Sequence, residues 1–454
     1  MITEIHIDGY RSLKEFQMTL MPGVNLLVGP NGSGKTNIIS FLSFLSRLVT
    51  HGVRPAFAHI GGAGRAFTRT KNKFGSQISC TVKGKLKGLT HRSAETVHDI
   101  DYEYSFIVKL SEEKRSLYFE RQSLKARIFN HSKDAPLLFE EGAKEFEVHF
   151  RTDEHLFEVA IELKSFAKGM ESYYRPLEIK EGELAIEYAQ GQLGKYAPPP
   201  DSPMFWVIAE VFWPTNYLRS DLSEIVMLNI DPRAVRTAED SAEEPGINDD
   251  GSGLAATLYF YDRLKERNFE ERDDNFYYPN SIRYSNKILP KIQDYVRLVN
   301  PQIESVMVHN DILENLLKVI YRVRAGESEI PVPISSASDG TVKWTALITA
   351  ILSLRGTFSI EEPENYIHPT IQREFINILR NELARNKMES FALVSTHSET
   401  ILNAANPEEI VVVSIEDGRT KVKRPQHISI LKEEIKESGF GLGFYYLNGA
   451  LEDV

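Results

Sequence analysis

Residues 23–42, GVNLLVGPNGSGKTNIISFL, combine an apolar run, a glycine-rich turn and a second segment with apolar positions at helical spacing. The run 23–28 predicts a buried strand, and the residues from Gly34 onward predict a helix. At their junction, residues 29–36, GPNGSGKT, fit the pattern GxxxxGK[ST] of a loop that surrounds a phosphate group. The order strand, loop, helix is the context that this motif requires.

The loop residues point to a specific chemistry. The glycines let successive backbone N–H groups turn toward one phosphate, and the following helix directs its positive end to the same place. Lys35 would reach the β- and γ-phosphates, and Thr36 would bind Mg²⁺ through its hydroxyl. The candidate phosphate-binding residues are Asn31, Gly32, Ser33, Gly34, Lys35 and Thr36.

A second motif lies near the other end of the chain. Residues 357–360, TFSI, predict a short strand, and two carboxylates, Glu361 and Glu362, follow it directly. The carboxyl end of a parallel strand faces the ligand crevice of an α/β sheet. Glu361 would therefore hold the metal, directly or through water, and Glu362 would polarise the attacking water as a general base.

The next predicted strand, residues 391–395, is followed by His397. Near a γ-phosphate, His397 would hydrogen-bond that phosphate and report its loss; the alternative is a solvated loop histidine. Strands alternate with helices in this last third of the chain, which favours a parallel α/β sheet. Lys35 and Glu361 are far apart in the sequence. A site that contains both requires one α/β core built from two segments, residues 1–66 and 331–454.

The residues between these two segments have a different pattern. Residues 67–195 contain six short alternating runs, the last of them ELAIEY, and predict an inserted, β-rich antiparallel meander. Residues 204–330 predict a second inserted lobe of helical and mixed structure. Within it, residues 236–250, RTAEDSAEEPGINDD, are acidic and poor in large side chains, which predicts a mobile segment.

Composition excludes several classes of protein. The chain has 454 residues, a net charge of −11 and one cysteine, Cys80. A single cysteine excludes an internal disulfide and a cysteine-rich zinc site. The negative net charge means that any nucleic-acid contact requires a local basic patch. The N-terminus lacks the apolar core of a signal peptide and no apolar stretch reaches about 20 residues, so we expect a cytoplasmic protein without a membrane partner.

Taken together, the motifs resemble the ABC-type ATPase heads of the RecF, SMC and OLD groups. The resemblance rests on residues 9–12 (GYRS), 29–36 (GPNGSGKT), 338–340 (SDG), 360–363 (IEEP), 366–369 (YIHP) and on His397. It implies a P-loop NTPase fold of the ABC type, ATP and Mg²⁺ as ligands, and ATP hydrolysis as the activity. It also implies that Arg11 contacts the nucleotide.

The resemblance gives further residues their roles. Ser338 and Gly340 stand in the position of the ABC signature, where they would grip the γ-phosphate of an ATP held by another subunit. The heads would then associate head-to-tail as a dimer or a higher homo-oligomer. Glu361, Glu362 and His397 take the roles of metal-side acid, base and switch. A serine before a helix is also simply a favourable N-cap, which is the alternative for Ser338.

The expected partners also follow from the resemblance. OLD-type heads are followed by a Toprim nuclease, and too few residues follow His397 here for such a domain. The chain thus resembles the ATPase subunits of two-component anti-phage systems such as Septu and PARIS, which have a separate nuclease partner. The resemblance implies such an effector nuclease as a partner here, with DNA or a phage component as a further candidate partner. The alternative is a RecF-like ATPase that binds DNA in repair or recombination. Lysines in GKLKG, residues 84–88, would either follow a DNA backbone or protect an edge strand from pairing.

Overall fold

The computed structural model describes residues 1–70, 73–90, 96–132, 144–166, 197–212, 214–265, 282–354, 356–385 and 389–451. The sixth run of the predicted meander, residues 183–188, lies outside these residues.

The strands are, in chain order, β1 (Ile2–Asp8), β2 (Phe16–Thr19), β3 (Gly23–Val28), β4 (Arg69–Thr70), β5 (Lys73–Phe74), β6 (Gln77–Thr90), β7 (Thr96–Ser111), β8 (Ser116–Ser132), β9 (Lys144–Thr152), β10 (Val159–Phe166), β11 (Ile225–Leu228), β12 (Glu239–Asp240), β13 (Ile303–Asp311), β14 (Leu316–Ala325), β15 (Ser328–Pro333), β16 (Thr357–Glu361), β17 (Phe391–Ser395), β18 (Ile410–Glu416) and β19 (Arg419–Lys423).

The helices are α1 (Lys35–His51), α2 (Val53–His59), α3 (Ala63–Ala66), α4 (Phe205–Val211), α5 (Thr215–Ser223), α6 (Pro232–Val235), α7 (Leu254–Lys265), α8 (Ile288–Val299), α9 (Asp339–Ser353), α10 (Pro369–Ala384), α11 (Glu399–Ala404), α12 (Ile428–Ser438) and α13 (Leu442–Leu447). Short 3-10 segments span Ile334–Ser336 and Pro407–Glu409.

The central sheet has the strand order β11-β16-β17-β3-β18-β19 and is parallel except for the final β18–β19 hairpin. Five of its six strands come from the two ends of the chain, so the predicted split of the α/β core is confirmed. The sixth, β11, comes from residues 225–228, within the segment predicted to form an inserted lobe; a four-residue strand gives too weak a local signal to reveal this pairing. Glu361 pairs with Ser395, and Ser395 pairs with Leu27 on β3. This register brings the carboxylate strand and the strand before the glycine-rich loop to the same edge of the sheet.

Alternation along the central strands divides the core into two apolar layers. On β17, Phe391 and Leu393 contribute to the layer that contains α1, whereas Ala392 and Val394 contribute to the layer that contains α9 and α10. Successive side chains of a strand point to opposite faces, so this short, fully buried strand is covered on both sides. The continuous apolar pattern of FALVS has this physical cause.

The antiparallel meander is joined to the first two strands of the chain. Its sheet has the order β10-β9-β8-β7-β6-β1-β2, and β6 pairs with β1 so that Val82 lies opposite Ile5. Strands β6 to β10 thus extend a sheet that begins with β1 and β2. The division of the chain into three lobes stays a prediction.

One predicted strand of the meander begins later than its apolar pattern indicates. The run LFEVAIEL starts at Leu156, but β10 starts at Val159. The carboxylate of Asp153 accepts hydrogen bonds from the N–H groups of His155 and Leu156, and Phe157 has a φ of 58°. These features form a turn before the strand can begin.

The acidic segment 236–250 is docked against the fold, although its composition predicts mobility. Glu239 is buried and accepts hydrogen bonds from the N–H groups of Gly253 (2.7 Å) and Ala256 (2.8 Å) at the start of α7. A carboxylate is favourable there because the first N–H groups of a helix have no partners within it. The hydrogen bonds that Glu239 accepts therefore hold this segment in place, although its composition is typical of a mobile segment.

The Glu4 carboxylate predicts acid sensitivity of the N-terminal strands. Hydrogen bonds from His6 and Lys83 lower the pKa of Glu4 to about 2 from its usual 4.5. A carboxyl whose pKa is depressed in the folded state stabilises the fold above its unfolded pKa, and this contribution is lost as the pH falls from about 5 toward 2. We expect Glu4→Gln to cost about 0.5–1 kcal/mol at neutral pH and less at about pH 3.5 in urea unfolding. Glu112→Gln, in an exposed turn, is the matched control; a pH-independent Glu4→Gln cost would contradict this account.

No helix in the described part of the chain has both the length and the apolar character required to cross a membrane.

Candidate functional site

The glycine-rich loop connects β3 to α1. It is held in place by β19, the edge strand of the central sheet. Gly34 has a φ of 105°, and a Cβ on it would lie 2.0 Å from the hydroxyl oxygen of Thr420 on β19. That hydroxyl donates a hydrogen bond to the carbonyl of Ser33 at 3.1 Å. Only glycine allows both the left-handed backbone and this close approach. At the outer side of the loop, Asn31 and Gly32 are exposed.

Lys35 is the first residue of α1 and is buried at the base of the loop. Its Nζ donates to the carbonyl of Gly29 at 2.8 Å and to that of Pro30 at 3.1 Å. Burial lowers the pKa of Lys35, and the carboxylates of Glu362 and Glu364 oppose that shift. The acidic loop after β16 therefore acts directly on the lysine of the glycine-rich loop.

Glu361 lies beside Thr36, the residue that follows Lys35. Burial raises the pKa of Glu361, the nearby Thr36 hydroxyl opposes this shift, and the neighbouring Glu362 adds to it. Its Oε2 accepts a hydrogen bond from Nδ2 of Asn229 at 3.1 Å. Its Oε1 is buried and has no hydrogen-bond partner among the described residues.

This pair of side chains fits a Mg²⁺ ion. Mg²⁺ takes oxygen ligands and keeps one or two protein ligands alongside water and phosphate oxygens. A buried carboxylate oxygen without a partner, next to the Thr36 hydroxyl, is a donor set of that kind. Within the described ranges, no three His, Cys, Asp or Glu side chains cluster as a protein-only metal site.

Glu362 has a strained backbone whose N–H and carbonyl groups are both hydrogen-bonded, the carbonyl also to the N–H of Asn365 at 3.2 Å. Its φ is 40°, an uncommon value for a residue with a side chain. Its N–H donates to the carbonyl of Ser395 at 3.1 Å, and its carbonyl accepts from Nζ of Lys343 at 3.0 Å. Its carboxylate accepts from Nδ2 of Asn365 at 2.9 Å. The side chain is thus placed by the end of β17 and by helix α9.

The loop that contains His397 is tied to the same acidic segment. Glu364 Oε1 accepts from the N–H of His397 at 2.7 Å and from the Thr396 hydroxyl at 3.0 Å. The second oxygen of Glu364 is buried, and no hydrogen-bond partner for it lies in the described part of the chain. His397 is exposed. The backbone of His397, rather than its ring, makes the contact with the acidic loop.

Arg11 lies at the edge of this site. Its φ is 49°, its Nε donates to the carbonyl of Arg65 at 3.1 Å, and its Nη1 lies 3.4 Å from Oδ1 of Asn37 on α1. Burial raises the pKa of Glu361, and the positive charge of Arg11 opposes that rise. Arg11 is therefore near the carboxylate side of the site.

Ser338 and Gly340 form a second group at the start of α9. The hydroxyl of Ser338 caps the helix by accepting from the N–H of Thr341 at 3.3 Å. Gly340 packs against the carbonyl of Tyr366, which a Cβ on residue 340 would meet at 2.4 Å. An open cavity of about 380 Å³ lies along this helix end, with His368 on its rim. In the described part of the chain, neither Ser338 nor Gly340 contacts the glycine-rich loop through a recorded hydrogen bond.

The structure thus brings together Lys35, Thr36, Glu361, Glu362 and the His397 loop. Ser338 and Gly340 lie at the start of α9, where Gly340 packs against Tyr366 at the end of the acidic loop. Sequence reasoning missed Asn229, which follows the four-residue strand β11 and donates to Glu361. It also missed Lys343, for which a signal existed: a single lysine inside the apolar helix TVKWTALITAIL.

Two family models match the chain. Residues 1–189 match the model described as "AAA ATPase domain", and residues 247–403 match the model described as "AAA domain, putative AbiEii toxin, Type IV TA system". The chain is similar to AAA ATPases over both regions. The first region contains the glycine-rich loop, and the second contains Glu361, Glu362 and His397.

Curated relatives match over short segments. The DNA replication and repair protein RecF of Corynebacterium jeikeium is 40% identical over 52 residues, which are 12% of this chain and 12% of that protein. RecF of Beutenbergia cavernae is 34% identical over 71 residues, or 15% of this chain and 18% of that protein. The chain therefore spans less than a fifth of the length of these curated relatives.

Two SMC head structures align with the chain at low sequence identity. An Smc head domain bound to the C-terminal domain of ScpA derived from Pyrococcus furiosus aligns with a TM-score of 0.45 and 13% identity, covering 96% of this chain and 99% of that one. The SMC head domain from Thermotoga maritima aligns with a TM-score of 0.35 and 9% identity, covering 94% and 99%.

Proposed function

We propose that this chain binds Mg·ATP between the glycine-rich loop and the paired carboxylates and hydrolyses it. The observation that carries the proposal is the partnerless, buried oxygen of Glu361 beside the Thr36 hydroxyl, one residue from Lys35. A divalent cation coordinated by a triphosphate would satisfy that oxygen. The matches to AAA ATPase domains on both sides of the site support the same function.

Each residue of the site has a distinct task in this proposal. The backbone N–H groups of residues 31–34 and the start of α1 bind the phosphates, and Lys35 exchanges its loop carbonyl partners for phosphate oxygens. Thr36 and Glu361 hold the metal, which neutralises phosphate charge when bound. Glu362 accepts a proton from the attacking water. His397, whose backbone N–H donates to Glu364, would sense the γ-phosphate.

We further propose that two copies complete each other's sites head-to-tail. The helix end at Ser338 is exposed, adjoins an open cavity and, among the described residues, makes no hydrogen bond to its own glycine-rich loop. The first N–H groups of a helix are favourable partners for an anion, so a γ-phosphate from a second copy fits there. Bound ATP would then join two heads, and hydrolysis would release them.

The head-to-tail arrangement predicts an ATP-dependent dimer. We expect the Glu362→Gln variant with Mg·ATP to have twice the mass of the 51.6 kDa chain, and the additional substitution Ser338→Arg to keep it monomeric. An arginine at the helix end would block the approach of the second copy sterically. Size-exclusion chromatography with light scattering measures both masses. Ser328→Arg, at the exposed start of β15, is the matched control, and a dimer that survives Ser338→Arg would contradict this interface.

For the biological role, we propose that ATP-dependent head association controls a separate effector, with a nuclease in anti-phage defence as the favoured case. The alternative is direct DNA binding of the RecF kind, which the short RecF matches favour. The charges on the meander argue against that alternative. Lys83 pairs with Glu4 at 3.0 Å, and Lys87 pairs with Glu389 at 2.9 Å. Lysines already paired with carboxylates are poor candidates for contacts to a DNA backbone.

Two measurements separate these roles. Co-expression with the products of neighbouring genes, followed by native mass measurement, should give a stable complex with an effector if the first role is correct. Binding of the isolated chain to duplex DNA that requires ATP and weakens steeply with salt would instead support the RecF-like role.

A further inference from the structure

Helix α9 carries a buried lysine that the proposed chemistry does not use. Lys343 is 3% exposed and lies among apolar neighbours of the helix such as Val342 and Trp344. Burying an ammonium group is costly unless it gains hydrogen bonds and opposite charge. Burial lowers the pKa of Lys343 to about 8, and the carboxylates of Glu364 and Glu362 oppose the shift.

The one recorded hydrogen bond of Lys343 within the described ranges is to the main chain of Glu362. Its Nζ donates to the Glu362 carbonyl at 3.0 Å, and it lies 6.0 Å from the centre of the Tyr366 ring. A lysine that served only to fill the core would be better replaced by an apolar side chain of the same length. This ammonium group instead hydrogen-bonds to the backbone of Glu362, the residue that would act as the base.

The backbone of Glu362 needs such support. A φ of 40° in a residue with a side chain persists only where the surroundings hold it. The N–H of the residue is held by Ser395, and its carbonyl accepts from Nζ of Lys343 at 3.0 Å and from the N–H of Asn365 at 3.2 Å. Asn365 belongs to the same loop, so Lys343 is the donor that ties this carbonyl to helix α9. Without the Lys343 bond, the peptide after Glu362 would be held on its carbonyl side only by its own loop, and the direction of the carboxylate would change.

The same lysine connects Glu362 to the start of helix α9. Lys343 lies one turn after Gly340, and Gly340 packs closely on the carbonyl of Tyr366, so the start of α9 and the acidic loop 361–366 contact each other at two points. A change at the helix start therefore reaches the acidic loop through rigid contacts.

We propose that Lys343 is a positioning residue for Glu362: it fixes the backbone of the base and connects it to the helix end at which a second copy would dock. This inference rests on the proposed hydrolysis, and it adds a residue that acts through Glu362 without touching the nucleotide. Head association would then place the base correctly, so that turnover requires the second copy.

The test compares Lys343→Met with Lys343→Arg in the full chain, with Mg·ATP as the substrate. Methionine keeps the length and removes the donor, whereas arginine keeps a donor and the charge. We expect Lys343→Met to lower kcat by about tenfold to a hundredfold with KM changed by less than about twofold, because misplacing a base affects the chemical step and not binding. Lys343→Arg should recover at least part of kcat. Lys343→Gln, a shorter and neutral side chain, gives the same readout if the methionine variant does not fold.

A double-mutant cycle gives the decisive control. In the Glu362→Gln background, Lys343→Met should change the residual turnover by less than about twofold, since a positioning residue has no effect once its base is absent. An unchanged kcat in Lys343→Met, or an equal loss in both backgrounds, would overturn the inference. Normal turnover in Glu362→Gln alone would instead end the proposed function, so the two failures are distinguishable.

Discussion

Lys35→Ala is expected to weaken Mg·ATP binding by about a hundredfold or more, because truncating one partner of a buried, charged hydrogen bond costs about 2–5 kcal/mol. Lys35 is buried at the start of α1, and its Nζ lies 2.8 Å from the carbonyl oxygen of Gly29. A phosphate in the loop would provide stronger, charged acceptors for the same ammonium group. Alanine removes the cation and leaves the loop without its central donor. Titration with a fluorescent ATP analogue measures the loss.

The matched control for this variant is Lys432→Ala. Lys432 is an exposed lysine on α12 that pairs with Glu408, so its removal should leave nucleotide affinity unchanged. Circular dichroism of Lys35→Ala should match the parent protein, which separates loss of the ligand from loss of the fold. Wild-type affinity in a folded Lys35→Ala variant would exclude the glycine-rich loop as the nucleotide site.

Glu362→Gln is expected to retain Mg·ATP and to lower its turnover by about a hundredfold to ten thousandfold, the range that general-base catalysis contributes. The amide has nearly the shape of the carboxylate, and its oxygen can still accept the hydrogen bond from Asn365. It cannot take a proton from water. Single-turnover release of phosphate from bound ATP measures the chemical step without product release.

An exposed glutamate on α10 provides the control for that result. Glu374→Gln removes one carboxylate from the solvent-facing side of the helix and should leave both binding and turnover within about twofold of the parent protein. If Glu362→Gln hydrolysed ATP at the parent rate, Glu362 would not be the base, and the role of Lys343 as its positioning residue would fall with it.

The core of the fold could be predicted because its signals are local and strong. Gly34 requires a positive φ, Lys35 and Thr36 follow it at fixed spacing, and the apolar runs of β3, β16 and β17 mark strands buried on both faces. Such strands must lie in the middle of a parallel sheet. Their meeting at one edge then follows from the directions of the strands.

Other parts of the site depend on contacts between distant segments. Asn229 follows a strand of only four residues, and its place beside Glu361 is set by the pairing of β11 with β16. No local pattern in the sequence encodes that pairing. The contact of Lys343 with the Glu362 carbonyl likewise depends on how α9 packs against the acidic loop, although a lysine within an apolar helix already indicates a partner.

The meander shows a further limit of sequence patterns. Alternation identifies a strand and its buried face, but it does not identify the neighbouring strand. The pairing of β6 with β1, with Val82 opposite Ile5, makes the meander continuous with the N-terminal strands. A carboxylate at a helix start, Glu239, similarly fixes a segment whose composition alone indicates mobility.

A structure of the Glu362→Gln variant with Mg·ATP tests the central claim most directly. We expect one triphosphate held by residues 29–36, with Lys35 Nζ on a phosphate oxygen. We also expect a single Mg²⁺ bound by Thr36 and, directly or through water, by Glu361. The Ser338 helix end of a second copy should lie at the γ-phosphate. A nucleotide bound away from this loop, or a metal that leaves Glu361 without a partner, would contradict the account.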